Sequence, residues 1–143
     1  MKVAYTTGTF DMVHAGHFEF LRMIKEVYGY SKIIVGLVTD EYGSKRKRMP
    51  YMEYKHRKAI LENSKYEVYV IPCNVSDKVS DYERLKFDGL FISDEYFGSI
   101  EYREFENKYP GIPVYYLHRD LSIGESTTEI MRRMEERLGK RST

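Results

Sequence analysis

Short apolar runs recur along the chain, separated by longer stretches whose apolar positions fall at helical spacing. Residues 3–6, 32–38, 67–71, 90–92 and 114–117 are rich in Val, Ile, Tyr or Phe and are predicted as strands. Leu21, Ile24, Val27 and Tyr28 share one helical face, as do Tyr102, Phe105 and Glu106, with Ser99 as a candidate N-cap. Strands alternating with helices predict βαβ units, so the fold class is α/β: a single domain with a five-stranded, mostly parallel sheet and helices on both faces. The unbroken run from Ile33 to Val38 suits a strand buried on both sides. No repeat, low-complexity tract or linker interrupts residues 1–143.

Composition narrows the class. A chain of 143 residues with 42% hydrophobic and 31% charged positions can bury a core and amounts to one ordinary domain. Twenty-three Lys and Arg against twenty-two Asp and Glu leave a net charge of +1. That is too little for global attraction to nucleic acid or a membrane surface, so neither is expected as a partner and any electrostatic function must be local. Cys73 is the single cysteine, which excludes an internal disulfide and a thiolate metal cluster. No apolar stretch approaches the ~20 residues of a membrane span, and residues 1–6 do not read as a secretion signal, so a cytoplasmic protein is expected.

An open parallel sheet binds ligands beyond the carboxyl ends of its strands. Three segments with unusual chemistry follow predicted strands there: 8–17, 43–48 and 119–128. In the first, His14 and His17 flank Gly16 at the start of a predicted helix that begins near His17. Imidazoles three residues apart share a helix face, and the exposed N–H groups of a first helical turn favour an anion, which makes this a phosphate site. Two incidental surface histidines, or a metal pair, compete with that reading. Zinc would need further ligands from His56, His118, Cys73 or carboxylates, and no metal site is predicted.

The second segment holds Lys45, Arg46, Lys47 and Arg48 in a predicted loop. Four like charges repel one another unless an anion meets them; a solvated basic loop or a nucleic-acid patch is the alternative. In the third, Ser126 and Glu129 form an S-x-x-E capping box that starts a helix through Leu138, with Gly139 beyond its end. The cap and a phosphate site are compatible at one helix N-terminus.

The ten residues from Gly8 to His17, GTFDMVHAGH, resemble the GTFD…HxGH element of the nucleotidyltransferase superfamily, especially the glycerol-3-phosphate and choline-phosphate cytidylyltransferases. Tyr54-Lys55-His56-Arg57 resembles their Tyr-x-His-Arg element, and 119–128 resembles their RTEGIST element with two extra residues between Arg119 and Gly124. The resemblance runs from Val3 to about Met134 and implies a Rossmann-like domain. It implies a CTP-dependent cytidylyltransferase joining CMP to a small phosphorylated metabolite, such as glycerol 3-phosphate, with Mg²⁺ carried by the triphosphate and a homodimeric assembly.

By resemblance, His14, His17 and Arg119 are the catalytic candidates. Thr7, Gly8, Thr9, Phe10, Gly16, Arg46, Arg48, Asp94, Gly124, Ser126 and Thr127 join them around the nucleotide. Arg46 and Arg48 stand where the glycerol-phosphate enzymes have lysines, and arginine grips phosphate bidentately. Asp11, Asp40, Arg46, Arg57 and Lys78 are the acceptor-binding candidates. Asp11 is open to orienting a histidine, assisting a metal or capping its own turn. Arg57 is open to bracing the site rather than entering it. Lys78 is expected either to reach an acceptor phosphate across a subunit boundary or to be a solvated loop lysine. The fourteen tyrosines read as core and interface residues. An adenylyltransferase of the same superfamily and a non-catalytic nucleotide- or RNA-binding domain are the competing functions.

Overall fold

The computed structural model describes residues 1–11, 15–45, 50–118 and 132–138. Five strands, β1 (Val3–Gly8), β2 (Lys32–Val38), β3 (Val68–Cys73), β4 (Gly89–Ser93) and β5 (Val114–Leu117), form one sheet in the order β3-β2-β1-β4-β5. Every pairing is parallel. The helices are α1 (Ala15–Arg22), which widens into a π-helical segment over Met23–Val27, α2 (Asp40–Lys45), α3 (Tyr54–Glu62), α4 (Lys78–Leu85) and α5 (Ile100–Lys108). Residues 132–138 are helical as well.

Strand alternation divides the core in two. Ala4, Ile33, Val35, Leu37, Val68, Val70 and Phe91 pack with Leu21, Ile24 and Leu61 from the α1 and α3 side. Tyr5, Leu90 and Ile92 pack with Phe87, Tyr102 and Phe105 from the α4 and α5 side. Successive side chains of a strand face opposite ways, so a sheet covered on both faces needs apolar residues at nearly every position, as 33–38 shows. The crossovers then carry the chain outward from β1 in two directions, to β2 and β3 on one side and to β4 and β5 on the other. β1 and β4 are neighbours at the place where the strand order reverses, and a crevice opens above their carboxyl ends.

Two local expectations are corrected. Lys45, expected in a loop, instead ends a short helix over Asp40–Lys45: Thr39 Oγ1 accepts from Tyr42 N at 3.1 Å and the Thr39 carbonyl from Gly43 N at 2.8 Å. Thr39 followed by Asp40 and Glu41 is a helix-start signal. Ser99 does occupy the N-cap position of α5, but its hydroxyl makes no capping bond and is buried without a partner.

Candidate active site

A cavity of about 270 Å³ lies over the crevice. Its walls come from the ends of all five strands, with Thr6, Thr7, Gly8, Val38, Cys73, Ile92, Ser93 and Leu117, and from the α1 entrance, with Thr9, Phe10, Gly16, His17 and Phe20. Thr7, Gly8, Thr9, Phe10, Gly16 and His17 of the expected nucleotide set are therefore brought together on one wall. His14, Arg46, Arg48, Arg119, Gly124, Ser126 and Thr127 lie outside the described residues, as does the S-x-x-E box.

The β1–α1 turn is held in an unusual shape. Phe10 has φ +47°, a left-handed conformation that costs a non-glycine residue about 1–2 kcal/mol. Gly8 makes room for it, since a Cβ there would stand 2.8 Å from the Phe10 ring. That ring in turn packs on the His17 imidazole, with centroids 5.2 Å apart. The turn thus fixes one face of the histidine.

Three expected acceptor residues hold the turn in place. Arg57 is completely buried on α3, and its guanidinium donates to the carbonyls of Thr9 (2.8 Å), Val38 (2.8 Å) and Met52 (2.9 Å) and to Asp40 Oδ1 (2.8 Å). Asp40 also accepts from Tyr54 N at 3.1 Å at the start of α3. Asp11, 4% exposed, accepts from the backbone N–H groups of Tyr51 (2.8 Å) and Met52 (3.0 Å). Asp11 does not merely cap its own turn, because its partners lie forty residues downstream. Together these residues tie β1, β2 and the approach to α3 into one rigid rim, which is the bracing role that the sequence left open for Arg57.

The remaining candidates separate. Asp94 pairs with His118 Nδ1 at 2.9 Å on the exposed edge, while its neighbours Ser93 and Glu95 line the cavity. Lys78 is neither solvated nor in a loop. It is 1% exposed in the first turn of α4, where its Nζ donates to Glu101 Oε1 at 2.9 Å and lies 3.4 Å from Ser76 Oγ. Lys45 ends α2 and pairs at 3.5 Å with Glu41.

Several wall residues were not legible as site residues: Tyr42, Cys73, Ser76, Tyr96, Glu101 and Tyr102. Tyr42, Tyr96 and Tyr102 read from the sequence as core or interface residues, and Tyr102 is indeed buried. Burial, followed by the nearby Glu101 charge, pushes its phenol well above the usual range, so it acts as a neutral hydrogen-bonding group. No periodicity marks Ser76 or Glu101; only their positions just past β3 and at the head of α5 hinted at the crevice. Among the described residues, no group of three His, Cys, Asp or Glu is arranged to hold a metal ion.

A parallel α/β sheet with a glycine-rich turn, a histidine-bearing helix entrance and a cavity at its switch point defines a nucleotide-handling enzyme class. The cytidylyltransferase-like family profile matches residues 5–143, so the chain belongs to that family and is a nucleotidyltransferase. The glycerol-3-phosphate cytidylyltransferase of Bacillus spizizenii is 37% identical over 135 residues, covering 94% of this chain and 98% of that one. The enzyme of the same name from Staphylococcus aureus is 34% identical over 131 residues, 91% of this chain and 92% of its own. An FAD synthase from Ferroglobus placidus is 31% identical over 105 residues, 73% of this chain and 67% of its own. The crystal structure of a lipopolysaccharide core biosynthesis protein from Thermoplasma volcanium superposes with TM-score 0.67 at 21% identity, covering 84% of this chain and 99% of that one, a likeness of fold.

Proposed function

We propose that this nucleotidyltransferase transfers CMP from CTP to a small phosphorylated alcohol, with glycerol 3-phosphate the leading acceptor, and releases pyrophosphate. The observation that carries the reading is the similarity to glycerol-3-phosphate cytidylyltransferases along nearly the whole of both chains. An oxygen of the acceptor phosphate attacks the α-phosphorus of the triphosphate. The bond from that phosphorus to its β-bridging oxygen breaks in line, and the leaving pyrophosphate takes the electron pair.

His17 sits on the cavity wall with its ring packed on Phe10, placed to donate to an α-phosphoryl oxygen as charge accumulates there. His14, Arg119 and the basic residues Arg46 and Arg48 supply the remaining positive charge in this reading, with Gly124, Ser126 and Thr127 beside the phosphates. No protein nucleophile is needed. Mg²⁺ carried by the triphosphate would supply charge neutralisation at the phosphates. The described donor set fits an ion bound mainly through phosphates, for which one or two protein carboxylates suffice, and Glu95 on the cavity wall is one such group.

Pyrophosphate release measured separately with CTP and ATP tests the donor. Turnover with CTP is expected, and turnover with ATP alone overturns the assignment, because the same histidine chemistry also serves adenylyl transfer. For His17→Ala the expected result is a loss of roughly 10²–10³ in kcat with an unchanged far-ultraviolet spectrum; near-normal turnover would remove the histidine from the mechanism. The enzyme is further proposed to be a cytoplasmic homodimer, for which light scattering should give twice the chain mass. Among the described residues, no helix is long and apolar enough to cross a membrane.

A further inference from the structure

Among the described residues with positive φ, Phe10 stands apart. Gly29 (φ +76°) and Gly98 (φ +83°) are glycines, for which the left-handed conformation carries no Cβ penalty. Lys86 (φ +52°) caps the C-terminal end of α4, where a left-handed residue is usual. Phe10 (φ +47°) is neither: a bulky aromatic stands in the β1–α1 turn where glycine or asparagine would adopt the same backbone at lower cost. Strain of this kind persists where the surrounding structure over-determines it, and it clusters at functional sites. What the Phe10 side chain does has to offset it.

Three contacts describe that side chain. The ring belongs to the core cluster on the α1 side, and the residue keeps 8% of its surface exposed. It lines the cavity beside His17, with the two ring centroids 5.2 Å apart and the planes inclined at 45°. That separation falls within the roughly 4.5–7 Å of attractive aromatic pairs. The ring also fills the space over Gly8, where a Cβ would stand 2.8 Å from one ring carbon and 3.1 Å from a second. The missing side chain at Gly8 therefore makes room for Phe10. An imidazole makes its hydrogen bonds in the plane of its ring, through its two nitrogens. An aromatic ring packed against it restrains its rotation without competing for either nitrogen. A donor aimed before charge develops stabilises the transition state at no cost in reorganisation, and a displacement of about 1 Å can cost on the order of 10²-fold in rate.

We infer that Phe10 is a positioning residue for His17: its core-anchored ring holds the imidazole in the orientation that meets the α-phosphoryl oxygen, and Gly8 is required because it admits that ring. The inference rests on the role proposed for His17 and deepens it. The Phe10 side chain touches no reacting atom in this assignment, and any contact of the turn's backbone with the phosphates is separate from it.

Three substitutions separate the ring from the backbone that carries it. Phe10→Asn suits the left-handed backbone and deletes the ring; Phe10→Leu keeps an apolar side chain for the core; Phe10→Tyr keeps the ring. Pyrophosphate release is measured with glycerol 3-phosphate and whichever of CTP and ATP supports turnover, well below each variant's own melting temperature. For Phe10→Asn and Phe10→Leu, kcat should fall at least about tenfold while the nucleotide Kd holds within about twofold, and Phe10→Tyr should stay within about threefold of wild type. In a His17→Ala background, the same Asn and Leu changes should cost less than about threefold, since residues that act through one group do not add. Gly8→Ala should lose turnover as well, without adding to the loss from Phe10→Leu. The imidazole resonances of His17, identified by their disappearance in His17→Ala, need no turnover; they should move in Phe10→Asn and Phe10→Leu and stay near their wild-type positions in Phe10→Tyr.

Equal losses from Phe10→Leu in the wild-type and His17→Ala backgrounds overturn the inference. Near-wild-type kcat in both Phe10→Asn and Phe10→Leu does so too, as do His17 resonances that stay in place, and additive losses with Gly8→Ala overturn the role given to Gly8. Near-normal turnover in His17→Ala, or no pyrophosphate release with either nucleotide, would instead overturn the parent reading, while the resonances would still decide whether Phe10 holds the imidazole.

Discussion

Arg57 has no exposed surface, and its guanidinium ends on three backbone carbonyls and one carboxylate drawn from three separate stretches of chain. Only a planar fork with several fixed donors can meet those acceptors at once; a lysine ammonium in the same place would be a point charge on a flexible stem. Arg57→Met would strand three carbonyls and leave Asp40 without its counter-charge, so a stability loss of about 3 kcal/mol is expected. Urea denaturation followed by fluorescence measures it, and Arg57→Lys should recover only a minor part. The motif around Tyr54 made this residue legible as one of interest, but not what it touches. Thr9, Val38 and Met52 act through backbone carbonyls, which have no residue-type signature. Asp11 is similar: its type suggests chemistry or a local cap, whereas its two amide partners, Tyr51 and Met52, lie forty residues away in the chain and are its neighbours only in the folded structure.

At the scale of elements, capping shows where local chemistry suffices and where it does not. Asp77 precedes α4 and accepts from Ser80 N at 3.1 Å and from Ser80 Oγ at 3.0 Å. These bonds, the backbone one first, hold its carboxyl below the ordinary carboxylate range. A depressed native value means that the stabilisation is fully present above the unfolded carboxyl's value near 3.8 and is lost as pH falls through the lower native value. Asp77→Ala should therefore cost about 1 kcal/mol at neutral pH. The gap from wild type should narrow steadily below about pH 4, as thermal melts across an acid series would show. Ser99 also stands in an N-cap position, yet its hydroxyl makes no such bond. Residue type nominates a cap, and the backbone geometry just outside the helix decides whether the side chain reaches. The helix over Asp40–Lys45 is a different case: it is short and without an apolar stripe, so periodicity does not predict it, and Thr39 holds its start in the structure.

Across the whole molecule, the cavity joins the ends of five strands, so a nucleotide bound there links segments far apart in sequence. Ligand that binds only the folded state stabilises it by about 2.7 kcal/mol at a hundredfold excess over Kd. CTP should accordingly raise the melting temperature by several degrees in a thermal-shift assay, and the rise should be smaller in His17→Ala if the imidazole meets the phosphates. The sequence by itself determined the strand–helix alternation and the two-sided burial of 33–38, and it nominated Gly8 and His17 as parts of one site. Each is written in local periodicity or in residues adjacent along the chain, and the structure shows the alternation, the buried strand, and Gly8 and His17 on one cavity. The tertiary structure alone decided that Lys78 lies buried under Glu101, that Asp11 and Arg57 clamp a distant segment, and that Ser76 and Tyr102 face the same cavity as His17. Those relations depend on crossovers that bring β3, β1 and the head of α5 together, and nothing in the spacing of residues along one segment records which other segment will pack against it.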